Sequence, residues 1–256
     1  MRNIPLKVTL LAIVLTFCRY SNALPAPKQE GSTIDTGAVS ELEKAGDLAR
    51  LHKDYDLAIQ DFQAALRKDR KNPALYNKLG LSELKKDDLE QARFYFEKAV
   101  RLNPKYAEAV NNIGAVEYMH KNYGPAAKYF KKAVALDETR STYHVNLGAA
   151  WFSQKKMDRA IAEYTRALEL NPDAFRQDSR AGIAAQISSP EERAQYAYTL
   201  AKAYAKRGDV DSCLQCLRRA KEDGYRNLAN VYKDEEFSRM RDNPKLQEVV
   251  PPPVAK

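Results

Sequence analysis

Apolar residues in this chain recur on a helical period, and the helical segments themselves recur. Ala58, Phe62 and Ala65 fall at i, i+4 and i+7, the spacing that lines up side chains on one face of a helix. The same triplet returns as Ala92, Phe96 and Ala99, as Ala126, Phe130 and Ala133, and as Ala160, Tyr164 and Ala167, each copy 34 residues after the last. Every triplet follows a first apolar segment that carries a glycine, at Gly46, Gly80, Gly114 and Gly148. Polar turns at Lys86–Asp88, Lys121–Tyr123 and Lys155–Asp158 divide first segment from second. Asn-Pro pairs at 72–73, 103–104 and 171–172 close the copies, because the residue before proline is driven out of helical geometry. The pattern predicts an all-α solenoid of stacked helix pairs, each burying its apolar face only against its neighbours.

Glycine in mid-helix costs about 1 kcal/mol relative to alanine. Four helices accept that cost in one column, which predicts a crowded contact where a Cβ would collide. Alanines on either side of the aromatic let the two helices of a pair approach closely.

These columns resemble the tetratricopeptide repeat. The fourth copy carries the motif as Leu147, Gly148, Trp151, Ala160, Tyr164, Ala167 and Pro172, and the third as Ile113, Gly114, Ala126, Phe130 and Ala133. Repeats are assigned to residues 39–72, 73–106, 107–140 and 141–174. A degenerate fifth, 194–227, carries Leu200, Ala201, Tyr204, Gly208, Cys213, Leu217 and Ala220. Its glycine column has become Ala201. The resemblance implies a right-handed superhelical solenoid of helix-turn-helix repeats and a non-catalytic protein-binding role. Residues 228–256, with Tyr232–Phe237 and Met240–Leu246, are similar to a closing block found after many bacterial arrays, and are expected to form a helical cap with a Pro-rich tail. Residues 175–193 break the repeat phase. They are expected either to plug the joint with a short helix or to form a loop on one face.

In this family the first helices line the concave face. Carried over by column, the resemblance assigns partner contact to Asn77, Leu81, Leu84 and Lys85, to Asn111, Ala115, Tyr118 and Met119, and to Val145, Ala149, Phe152 and Ser153. Leu84, Tyr118 and Phe152 form an apolar ladder, read equally as groove or as core. Apolar rungs beside Asn and Lys suit an extended peptide or an amphipathic helix. Some members clamp the terminal carboxylate of heat-shock chaperones. Here Asn77, Leu81, Thr142 and Asn146 replace the residues that clamp requires, so it is absent.

The first 23 residues read as a secretory signal peptide: Arg2 and Lys7, then an apolar run from Val8 to Cys18, then Ser21-Asn22-Ala23 at the cleavage position. That run is too short to span a bilayer, which needs about 20 apolar residues. A secreted or periplasmic location is therefore expected, with residues 24–38 as a flexible lead-in. The formal charge of +8 falls to +5 on cleavage, a mild bias read as solvated surface rather than nucleic-acid binding. No membrane span and no cofactor are expected, and no constellation for catalysis or metal binding is found. His52 and His120 sit at inter-helix turns, and His144 in a packing column. Cys213 and Cys216 form the one arrangement with redox potential. They read as core, as a disulfide, or as a thiol–disulfide pair. Self-association into a homo-oligomer is the alternative to partner binding.

Overall fold

The computed structural model describes residues 35–175 and 189–253. The expected signal peptide, most of the lead-in and most of the 175–193 segment lie outside the described residues. Five helix pairs follow one another: α1 (Thr36–Leu51) with α2 (Tyr55–Lys68), α3 (Pro73–Lys85) with α4 (Leu89–Leu102), α5 (Ala107–Met119) with α6 (Tyr123–Leu136), α7 (Ser141–Ser153) with α8 (Met157–Leu170), and α9 (Pro190–Arg207) with α10 (Val210–Glu222). Two 3₁₀ turns, Leu228–Tyr232 and Glu235–Met240, and a short helix α11 (Pro244–Val249) complete the chain. Among the described residues there is no strand. Each of the first four second helices packs both on its own partner and on the first helix of the next pair, while α10 packs on α9 and α11. First helices of neighbouring pairs also touch, α3 against α5 and α5 against α7, which places them on the inner side of the curve.

The glycine column is crowded as expected. A Cβ on Gly46, Gly80 or Gly114 would stand 2.5, 2.5 or 2.7 Å from the ring of Phe62, Phe96 or Phe130, and one on Gly148 would strike Tyr164. All four rings are fully buried. The fifth pair fills the same two columns with other residues. Ala201 supplies the Cβ and Leu217 replaces the ring, and both are completely buried.

Each pair turns on one device. Lys53, Asp87, Lys121 and Lys155, spaced by 34, all adopt the left-handed conformation, at φ 64, 65, 62 and 61°. The next residue then donates its amide back into the first helix, as Asp54 does to the Ala49 carbonyl and Asn122 to that of Glu117, both at 2.9 Å. Gly208 holds the same place in the fifth pair at φ 86°, in the only copy where the sequence supplies the residue suited to that conformation. Asp54, Asp88 and Asp209 then cap the second helix by accepting the amides of Leu57, Gln91 and Ser212 at 3.0–3.1 Å.

Several boundaries differ from the sequence reading. The helix α1 opens inside the expected lead-in because Asp35 accepts the Ala38 amide at 3.1 Å. Tyr123, Met157 and Asp158 are the first helical residues of α6 and α8 rather than turn. Residues 190–193 are helix rather than insert, since Ser189 caps Glu192 at 3.1 Å and Pro190 fits the first turn.

Candidate partner-binding surface

The first helices carry the residues assigned to partner contact, and the structure divides them. Asn77, Asn111, Tyr118, Val145, Ala149 and Phe152 are buried; Leu81, Leu84, Ala115, Met119 and Ser153 are half-buried and Lys85 is exposed. The ladder of Leu84, Tyr118 and Phe152 is therefore largely a packing feature. The Tyr118 hydroxyl pairs with Ser153 Oγ at 2.9 Å and its ring tilts onto Tyr123, while Phe152 meets Tyr196 edge-on. Of the assigned residues, the accessible ones are concentrated on α3, with Leu81, Leu84 and Lys85, and on α5, with Ala115 and Met119.

Beneath this surface runs a polar column that sequence reasoning did not assemble. Asn112 donates to Asn77 Oδ1, and Asn146 donates to Asn111 Oδ1, both at 2.9 Å across 35 residues. Asn77 in turn donates to Glu108 Oε1 at 3.0 Å. One pair earlier the same register holds an ion pair: Lys78 reaches Glu43 at 2.7 Å and also bonds Asp47. Burial pulls the Lys78 ammonium down, but the two carboxylates outweigh it and raise it above its ordinary 10.5. At the next joint the register meets Val145 and Thr199, and Thr199 bonds its own helix at the Gln195 carbonyl instead. The signal was present as an offset of 35 between polar residues of successive copies, one more than the repeat.

The fifth pair's inner face is occupied by the chain itself. The Tyr198 hydroxyl donates to Asp234 at 2.7 Å, and Lys202 reaches Asp234 and Glu236 at 3.0 and 3.3 Å. Tyr198 also stacks on Tyr225 at 4.3 Å, and Phe237 is completely buried beside it. The C-terminal segment thus closes this end of the array by packing on the columns of Tyr198 and Lys202, the second of which is only half-buried at Leu81 and Ala115.

Cys213 and Cys216 stand free and buried, so the disulfide reading finds no bridge here. Cys213 Sγ contacts Met240 Sδ at 3.6 Å. Burial pushes the Cys213 thiol well above its usual 9.0 and the Cys216 thiol up to about 12, which keeps both protonated and weakly nucleophilic at neutral pH. His144 Nδ1 pairs with Glu163 Oε2 at 2.7 Å, inside the packing column. Among the described residues no group of three or more His, Cys, Asp or Glu side chains is placed to hold a metal ion. No helix among them is long and apolar enough to cross a membrane.

Two family models match, both described as tetratricopeptide repeat, over residues 77–141 and 141–174. No curated protein sequence matches the chain. The fold is similar to that of pilF from Pseudomonas aeruginosa, at 20% identity and a TM-score of 0.55, covering 83% of this chain and 96% of that one. It is also similar to MamA, residues 41 to the end, from Desulfovibrio magneticus RS-1, at 16% identity and a TM-score of 0.52, covering 80% and 97%. A third similar structure is TTC0263 from Thermus thermophilus, at 19% identity and a TM-score of 0.51, covering 74% and 93%. At these identities the likeness speaks to the solenoid alone. With the repeat columns, the model matches identify residues 77–174 as tetratricopeptide repeats, set within a solenoid of helix pairs.

Proposed function

We propose that this protein is a non-catalytic, exported interaction scaffold that holds a peptide or helix on the inner surface of its first four pairs, chiefly on α3 and α5. The observation that carries this reading is the half-exposed apolar strip of Leu81, Leu84, Ala115 and Met119 beside exposed Lys85, on consecutive first helices. Apolar anchors flanked by a cation suit a segment with alternating apolar and acidic side chains. The closed fifth pair supports the direction of this reading, since its own columns already hold an acidic and aromatic stretch of the chain. A capture experiment tests it. A partner retained by wild type should be lost from a Leu81→Glu, Met119→Glu variant whose helicity by circular dichroism is unchanged. Equal retention by both proteins would move binding off the inner surface.

A further inference from the structure

The outer face carries a band of cations, within the positive bias that the sequence alone presents as solvated surface. Arg67 and Lys68 on α2, Lys98 and Arg101 on α4, and Lys131 and Lys132 on α6 all lie in the middle or C-terminal part of second helices, which the repeat runs in the same direction. All are exposed except Lys98, which is half-buried. Of these six, only Arg101 has a carboxylate of the described residues within 4.0 Å, Glu97 at 3.9 Å. Cations that are not paired within the protein leave their field available to an outside anion. Within this band stand two large apolar side chains, Phe94 at 47% exposure and Leu102 at 41%. Lys98 lies over the Phe94 ring at 5.4 Å from its centroid. Farther along the array the band is interrupted at α8 and resumes on α10 with exposed Arg218 and Arg219. On α8 Arg166 is paired with Glu169 at 3.0 Å.

From this arrangement we propose that the outer face of α2, α4 and α6 docks on an anionic phospholipid surface, with Phe94 and Leu102 entering the headgroup layer. Basic residues near an anionic bilayer each contribute attraction, and exposed apolar side chains at the same face add burial that a zwitterionic surface cannot supplement with charge. Nucleic acid would answer the charge but would leave Leu102 without a counterpart. The face is opposite the inner surface proposed for partner binding, so a membrane-docked molecule would keep that surface free. The two readings stand or fall separately.

Co-sedimentation of the chain from Leu24, which lacks the apolar run expected to be cleaved, with phosphatidylcholine vesicles, with and without phosphatidylglycerol, tests the proposal. Two variants accompany it: Lys98→Glu, Arg101→Glu, Lys131→Glu, Lys132→Glu, and Phe94→Ser, Leu102→Ser. Wild type should bind the anionic vesicles and not the neutral ones. Removing one cation should weaken binding on the order of fivefold, so the charge reversal should abolish it, and the apolar variant should weaken it clearly. Equal binding to both vesicle types, or anionic binding unchanged by the charge reversal, would overturn the proposal. Binding to duplex DNA that the charge reversal removes, with the apolar variant behaving as wild type on vesicles and DNA alike, would overturn it in favour of a polyanion site.

Discussion

Single residues here are legible mainly through what their counterparts do in other pairs. Glu117 is buried, yet it is served by Arg93 at 2.7 Å and by Asn122 at 3.0 Å. Glu83 holds the same column one pair earlier and is buried too, but the residue matching Arg93 in the first pair is Ile59. Burial raises the Glu83 carboxyl above its ordinary 4.5, with Asp88 and Asp56 adding to the shift and Lys86 opposing it. The folded state therefore binds this proton more tightly than the unfolded chain does. Its contribution to stability is fully present below 4.5 and is lost as pH rises through the folded value. Glu83→Gln should accordingly be more stable than wild type at neutral pH, with the difference shrinking as pH falls towards 4.5. Urea denaturation across that range measures it, and a difference that grew on acidification would refute the account. No periodicity reveals such a mismatch, because a glutamate in both copies looks like agreement.

Between elements, the close approach of the helices within a pair is set by glycine against ring in four copies and by Ala201 against Leu217 in the fifth. Gly114→Ala gains about 1 kcal/mol of helix propensity but forces its Cβ into Phe130, and overpacking of this kind costs about 1–3 kcal/mol. The expected outcome is a net loss of stability, read from urea midpoints. Adding Phe130→Leu to Gly114→Ala recreates the fifth pair's contact and should recover part of the loss, giving a non-zero coupling in a double-mutant cycle. The helix pairs and the crowded glycines were plain in the sequence because they recur identically. The turn device was hidden, since Lys and Asp give no sign of left-handed backbone and only Gly208 does. The groove assignment was the least legible. A column names the helix face, but whether Tyr118 or Phe152 is reachable depends on Ser153, Tyr123 and Tyr196 from neighbouring segments.

For the molecule as a whole, the two described ends are unlike. At the first pair, Leu48 and Leu51 on α1 are 55% and 76% exposed. At the last, Val231, Phe237 and Leu246 from the C-terminal block are completely buried against the fifth pair. A solenoid is stabilised by nearest-neighbour interfaces, so opening should start at the less covered end. Amide hydrogen exchange should be faster across α1 and α2 than across α9 and α10, and the reverse order would contradict this. The polar column adds a different constraint, one on succession. Lys78 is suited to follow a repeat ending its inner register in Glu43 and Asp47, whereas Asn112 and Asn146 each follow an asparagine. The joints are thus typed, and the array behaves as an ordered sentence rather than a string of equal words. Loss of residues 107–140 would bring Asn146 to Asn77 and leave the joint well formed. Exchanging the second and third repeats would set Lys78 against Asn111 and strand its charge.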